Sequence, residues 1–217
     1  GGAEKVALEL AKNFIIKGHK VSIATSKFNN KLRKFEIYNK IKIYRFKVFG
    51  NYKKGISGEI DNYRNFLKNN KFDAILFYAA QQWTFDAALP ILDKINSNMY
   101  LATCGFSGLK KIGYKKYYKY LINKIKKLNK NIVHSKNYID KKFLTKNNIH
   151  NDILIFNGAD ESFNKDIYKD FFKLNAIKKV NKNILNVSNY KFNKGQDLAI
   201  IIFFLLNFNK KTNLIFI

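Results

Sequence analysis

Short apolar runs alternate with longer amphipathic stretches along most of this chain. The run at 72–80 is almost continuously apolar, which is typical of an interior parallel strand, whereas the run at 40–48 alternates apolar and polar residues. Together, the runs rich in β-branched and aromatic residues predict eight strands, at 21–25, 40–48, 72–80, 99–103, 131–134, 152–156, 183–187 and 214–217.

The stretches between these runs have helical periodicity. Apolar residues recur every three to four positions after residue 3, and Gly18 follows as a C-terminal cap. Ser57 is expected to cap a second helix, and Pro90 is expected to kink or restart a third. The predicted helices lie at 3–17, from 57 to about 67, and at 83–96, 113–130, 136–147 and 195–206.

Alternating strands and helices indicate an α/β fold built from βαβ units around a doubly wound parallel sheet. Residues 1–160 are expected to form one Rossmann-like domain, 161–182 a connector with its own helix, and 183–217 the beginning of a second domain. The apolar run at 198–206 is about half the length of a membrane-spanning helix. We expect the chain to be a fragment, cut at both ends.

The net charge of +26 at pH 7 invites a nucleic-acid interpretation. However, 38 of the 41 basic residues are Lys, and Asn, Ile, Phe and Tyr are also abundant. This joint skew is typical of an AT-rich coding sequence, so we favour solvated lysines, and a dedicated phosphate reader would be expected to use more Arg. The single cysteine excludes an intrachain disulfide, which suits a cytoplasmic protein.

Three segments place a glycine where a strand meets a loop: GGAE at 1–4, FNGAD at 156–160 and SNYKFNKGQD at 188–197. In the first and the third a helix follows, a geometry that can hold a phosphate on backbone N–H groups. In this order and at these separations the segments resemble the GT-B glycosyltransferases of family 4, which are retaining, nucleotide-sugar-dependent enzymes. A strand before GGAE belongs to that pattern and is missing here.

The resemblance implies where substrates bind. Gly1 and Gly2 would lie near the donor diphosphate or the acceptor, and Lys194 with Gly195 would meet the donor pyrophosphate. Asn189 stands where the family has an arginine, which removes one positive charge from the site. The turn at Asn157 and Gly158 is expected to act as a hinge.

Loops at the carboxyl ends of parallel strands bind ligands in α/β sheets, and many relatives carry a histidine there. This chain instead has AAQQW after residue 78 and CGFSGL after residue 103. We therefore predict acceptor contacts from Gln81, Gln82, Cys104, Gly105 and Ser107. The three histidines form no metal motif and no Asp-x-Asp pair is present, so we expect neither metal nor cofactor, with the nucleotide-sugar as co-substrate.

The helix predicted at 113–130 carries an apolar stripe flanked by lysines. Such a helix can lie on an anionic membrane, so a cytoplasmic enzyme could be peripheral on the inner face of the membrane. We favour the alternative, in which the stripe packs on the sheet. The stripe comprises Tyr114, Tyr118, Leu121, Ile125 and Leu128.

The sequence thus predicts part of an enzyme that transfers a sugar to a saccharide or lipid-linked acceptor, with no nucleic-acid partner. Its catalytic glutamates are expected beyond residue 217, so the fragment itself should be inactive. The alternative is a non-catalytic basic α/β protein that binds nucleic acid or an anionic membrane surface. A dinucleotide enzyme is disfavoured, since no G-x-G-x-x-G follows a strand.

Overall fold

The computed structural model describes residues 2–158, 182–206 and 212–216. The chain forms two compact units, Gly1–Gly158 and Ala159–Ile217, which are considered separately. No helix within the described ranges is both long enough and apolar enough to cross a membrane.

The first unit alternates helices and strands. It also has two short 3₁₀ helices, at Leu89–Lys94 and Ile112–Tyr114. Its regular elements in chain order are α1 (Gly2–Ile16), β1 (Ser22–Ser26), β2 (Phe35–Tyr38), β3 (Ile41–Phe46), β4 (Val48–Asn51), β5 (Gly55–Gly58), α2 (Ile60–Asn69), β6 (Ala74–Tyr78), α3 (Trp83–Ala88), β7 (Asn98–Ala102), α4 (Lys115–Ile125), β8 (Lys130–Val133), α5 (Ile139–Lys146) and β9 (Asp152–Leu154).

The main sheet of the first unit has the order β6-β7-β8-β9, and every neighbouring pair is parallel. In this register Leu76 pairs with Tyr100, and Ile132 pairs with Ala102 on one side and Ile153 on the other. All four carboxyl ends therefore meet at one edge, where the loops that follow β6 and β7 come together. This arrangement confirms the predicted α/β class with a parallel sheet.

Two smaller sheets complete the unit. One has the order β1-β3-β2, with β1 parallel and β2 antiparallel to β3, and the other is the β4–β5 hairpin. Both β1 and β6 are edge strands in the described part of the chain, so the strands divide among separate sheets.

The core lies between the main sheet and the helices that cover it. It explains the apolar stripe of α4, because Tyr118, Leu121 and Ile125 are buried there together with Leu128. Edge-to-face contacts between aromatic rings further stabilise this core. For example, the rings of Tyr63 on α2 and Trp83 on α3 have centroids 4.9 Å apart. The preferred interpretation of the stripe, packing against the protein, is confirmed.

The second unit contains a βαβ element. Strand β10 (Lys182–Asn186) runs parallel to β11 (Thr212–Phe216), and α6 (Gln196–Leu205) lies between them in sequence. A short 3₁₀ helix, Phe192–Lys194, precedes α6. None of the described residues of this unit is buried. The connector was predicted at 161–182, but Lys182 is the first residue of β10. The rest of the predicted connector lies outside the described residues.

Some local predictions were wrong. Ser57 lies in β5 and does not cap α2, whose N-cap position is Glu59. Strand β2 and the β4–β5 hairpin were missed, because the hairpin sequence combines glycines and lysines with few apolar positions. The restart at Pro90 is confirmed, since α3 ends and a 3₁₀ helix begins at Leu89.

Candidate functional site

Two loops with unusual backbone conformations meet at the carboxyl edge of the main sheet. After β6, Ala79 and Gln81 have φ of 72° and 65°. After β7, Cys104, Gly105 and Phe106 have φ of 49°, 89° and 41° in succession. Left-handed backbone is unfavourable for residues with a Cβ, so surrounding contacts must hold these loops in place.

Gln81 joins the two loops. Its side-chain carbonyl oxygen accepts hydrogen bonds from the Gly108 N–H (3.1 Å) and the Tyr118 hydroxyl (3.0 Å), and lies 3.5 Å from the Ser107 hydroxyl oxygen. A Cβ at Gly108 would lie 2.2 Å from the Gln81 amide nitrogen, so any larger residue there would displace the Gln81 side chain. The Gln81 side chain is thus already occupied in shaping the site.

A buried carboxylate lies beneath Gln81. Asp86 on α3 is 3% exposed and accepts hydrogen bonds from the Tyr117 hydroxyl (2.8 Å) and the Tyr52 N–H (2.9 Å). Tyr117 in turn accepts a hydrogen bond from the Gln81 N–H at 3.1 Å. Desolvation raises the pKa of Asp86, and the two hydrogen bonds counter part of this rise. Burial, with the nearby Asp86 charge, raises the pKa of Tyr117, which stays a neutral donor.

A second buried carboxylate holds the loop after β7. Asp140, in the first turn of α5, is 2% exposed. One of its oxygens accepts hydrogen bonds from the Thr103 hydroxyl and the Gly105 N–H (3.0 Å), and the other accepts one from the Lys141 N–H (2.9 Å). The charge is therefore compensated by donors at a helix N-terminus and in the loop.

Glycine is favoured at position 105 in this loop by both space and backbone conformation. A Cβ there would lie 2.4 Å from Cε1 of the Tyr138 ring, and the φ of 89° already disfavours any other residue. Its N–H is bound to Asp140, so the backbone of Gly105 is fixed and its acceptor-contact role stays a prediction.

Three of the predicted acceptor residues have exposed side chains: Gln82, Cys104 and Ser107. Desolvation raises the pKa of the Cys104 thiol, and hydrogen bonds from Tyr78 and the Ala79 backbone offset this only in part. The thiol is therefore neutral at neutral pH, and it is suited to contact a ligand but not to attack one. The structure thus brings all five predicted acceptor residues together at one sheet edge.

The predicted donor residues lie in the loop that leads into α6. Gly195 is left-handed (φ 73°) and occupies the N-cap position, and Lys194 is exposed at the end of the 3₁₀ helix. The side-chain amide of Gln196 donates to the Asn189 carbonyl (3.0 Å) and to the Ser188 hydroxyl (2.8 Å), which closes the loop. Free N–H groups at the start of α6 and the Lys194 ammonium can hold an anion there.

The remaining predicted positions are less informative. Gly2 begins α1, and a Cβ there would meet nothing within 4 Å, whereas Gly1 lies outside the described residues. Asn157 and Gly158 follow β9 in irregular structure, and the boundary between the two units falls directly after Gly158. No group of three or more metal-ligating side chains occurs in the described part of the chain.

Sequence reasoning missed the residues that hold the site together, chiefly Asp86, Thr103, Tyr117 and Asp140. One signal was available for Asp86, because an acid within the apolar run WTFDAALPIL must be buried and paired. The partners of Asp140 could not be found this way, since Thr103 lies 37 positions away in sequence.

Comparison with known proteins supports the fold. No protein-family profile matches the chain. No curated protein matches it either. Among solved structures it is similar to the sucrose-phosphate synthase of Thermosynechococcus elongatus, with a TM-score of 0.64 over 99% of this chain and 10% sequence identity. This chain spans 65% of that protein's length. The α/β fold of this chain is thus similar to part of the GT-B fold of that protein.

Proposed function

We propose that this chain belongs to a nucleotide-sugar-dependent glycosyltransferase. Its first unit would bind the acceptor, and its second would begin the donor site. The transfer would proceed with retention, to a saccharide or a lipid-linked acceptor, in the synthesis of cell-surface polysaccharide or glycolipid. The observation that carries this proposal is the similarity to a sucrose-phosphate synthase over 99% of the chain.

The chemistry proposed for the donor loop is electrostatic. As the bond between the sugar and the diphosphate breaks, negative charge grows on the departing diphosphate. The Lys194 ammonium and the N–H groups at the start of α6 would stabilise this charge, and the left-handed Gly195 lets the backbone approach the phosphates closely. The diphosphate would then help to deprotonate the acceptor. Asn189 supplies no charge, so the positive charge of this loop comes from Lys194 and Lys191.

The chemistry proposed for the first unit is positioning. Gln82, Cys104 and Ser107 present an amide, a neutral thiol and a hydroxyl on adjacent loops, which suits the hydroxyl groups of a sugar acceptor. The hydrogen bonds that Gln81 and Asp140 accept from the Gly108 and Gly105 N–H groups fix these loops before any ligand binds. A preformed arrangement lowers the entropic cost of binding.

Donor binding tests this proposal directly. Titration calorimetry with UDP-glucose and GDP-mannose should detect binding, and Lys194→Ala should weaken it about tenfold, as expected for a lost charge-assisted hydrogen bond. Lys146→Ala, which removes an exposed lysine of α5, is the matched control and should leave affinity unchanged. Equal effects of both variants, or preferential binding of NAD, would contradict the proposal.

A further inference from the structure

A strongly basic surface lies beside the loops that follow β6 and β7, here called the acceptor loops. Two segments form it, 52–54 at the tip of the β4–β5 hairpin and 110–116 at the start of α4, and together they are called the basic lip. Six lysines of the lip are exposed, and between them Ile112 is 83% exposed. These lysines are Lys53, Lys54, Lys110, Lys111, Lys115 and Lys116.

The lip encloses a groove of about 430 Å³. The hairpin side contributes Tyr52 and Lys53, and the helix side contributes Ile112, Gly113, Lys115 and Lys116. The Lys53 ammonium lies 5.4 Å from the centroid of the Tyr114 ring, a cation–π distance that draws the hairpin tip towards the helix. The groove thus combines ammonium groups, aromatic edges and one apolar side chain.

The charge of the lip is not compensated. Neither segment contains an acidic residue. Within the described part of the chain none of the six lysines forms an ion pair, whereas at the other end of α4 both Lys124 and Lys127 bind Asp93. An uncompensated basic surface of this kind attracts an extended anionic partner.

The apolar stripe of α4 is not available for contact with a partner surface. The stripe, including Leu121 and Ile125 at 0% exposure, is buried against the core. The most exposed apolar side chain that the lip offers to a surface is therefore Ile112, just before the helix, and the Tyr52 ring at the hairpin tip is 42% exposed. Exposing an isoleucine among lysines suits the boundary between phosphate headgroups and acyl chains, where both kinds of side chain are satisfied.

The lip is rigidly connected to the acceptor loops. The Tyr52 N–H binds the buried Asp86, and the Tyr52 ring lies 5.0 Å from that of Tyr117. Tyr117 also contacts both Asp86 and Gln81. A surface that binds the lip would therefore lie next to the carboxyl edge of the sheet.

We propose that the basic lip docks this protein onto an anionic phospholipid bilayer. Ile112 enters the interfacial region, and the surrounding lysines meet the headgroup phosphates. An exposed isoleucine contributes nothing to binding a nucleic-acid backbone, so the lip favours a membrane over a polyanion.

Vesicle flotation of the 217-residue protein, without nucleotide or sugar, tests the docking surface independently of glycosyl transfer. Phosphatidylcholine vesicles should bind weakly, and vesicles that also contain phosphatidylglycerol should bind strongly. The double variant Lys115→Glu, Lys116→Glu should lower binding by about tenfold or more, since each lysine near an anionic surface contributes about a fivefold factor.

The control is the double variant Lys68→Glu, Lys71→Glu, which changes net charge equally at two exposed lysines before β6. It should bind within about twofold of the unchanged protein. Ile112→Ser should reduce vesicle binding several-fold while leaving retention of duplex DNA unchanged. Circular dichroism verifies that each variant is folded.

Three results would overturn the proposal. Equal losses from the lip and control variants would show unspecific charge attraction. No effect of Ile112→Ser on vesicle binding would remove the interfacial insertion. Tighter binding of duplex DNA than of anionic vesicles would identify the lip as a nucleic-acid surface.

Discussion

At the scale of single residues, two buried carboxylates organise the site. Asp86 and Asp140 are 3% and 2% exposed, and each accepts hydrogen bonds from distant segments. Losing a partner of a buried polar group costs more than the hydrogen bond itself is worth, because the remaining donor stays desolvated. These two carboxylates therefore hold in place loops whose left-handed backbone conformations are otherwise unfavourable.

Replacing Asp140 with Asn should destabilise the protein by about 1–3 kcal/mol, because one amide oxygen cannot satisfy the donors of Thr103, Gly105 and Lys141 together. Asp61→Asn is the control, since this acid also lies in the first turn of a helix but its side chain is 91% exposed. It should change stability by no more than about 0.5 kcal/mol. Urea denaturation measures the unfolding free energy of both variants. Equal effects would show that the hydrogen bonds of Asp140 do not hold the loop in place.

At the scale of elements, the sequence predicted the strands that are marked by apolar runs, and it missed the hairpin and the loop conformations, which have no such pattern. The apolar runs located β6, β7 and β10 to within two residues, because burial in a parallel sheet requires such runs. The hairpin β4–β5 has no such run, and long-range partners fix its position. The left-handed residues of the loops after β6 and β7 could not be predicted either, since Ala79, Gln81 and Cys104 are not residue types that signal positive φ.

The hairpin offers a test of close backbone approach. Gly50 and Gly55 have nearly the same φ, +85° and +81°, but a Cβ at Gly50 would lie 1.9 Å from the Gly55 oxygen, whereas one at Gly55 would meet nothing within 4 Å. Gly55→Ala should therefore cost about 1–2 kcal/mol from backbone strain alone. Gly50→Ala should cost clearly more, because the strands must separate.

Hydrogen exchange of the β4 amides and urea denaturation would measure the difference between these two variants. Faster exchange at Val48 and Asn51 in Gly50→Ala alone is expected, because both residues pair across this hairpin. Equal exchange in the two variants would mean that the hairpin relaxes around the new methyl group. The same variants alter the support of the basic lip, so Gly50→Ala should also weaken vesicle binding.

At the scale of the whole molecule, the buried residues are unevenly distributed. Every buried apolar side chain in the described ranges lies between Ala11 and Ile149, within the first unit. Most residues of the apolar helix α6 are exposed, with Phe204 and Leu205 at 75% and 77%. A sequence pattern shows that such a helix is apolar, but it does not show whether the chain buries it.

Residues 1–158 should therefore fold without the second unit. We expect this shorter chain to unfold cooperatively in urea and to retain most of the unfolding free energy of the full chain, because its core cluster is complete within its own sequence. Residues 159–217 alone should show no cooperative transition, since burial of apolar surface is the main stabilising term and none of their described residues is buried. Matching amide spectra of 1–158 and the full chain would verify that the first fold is unchanged. Loss of the cooperative transition in 1–158 would show instead that the second unit is needed to stabilise the first.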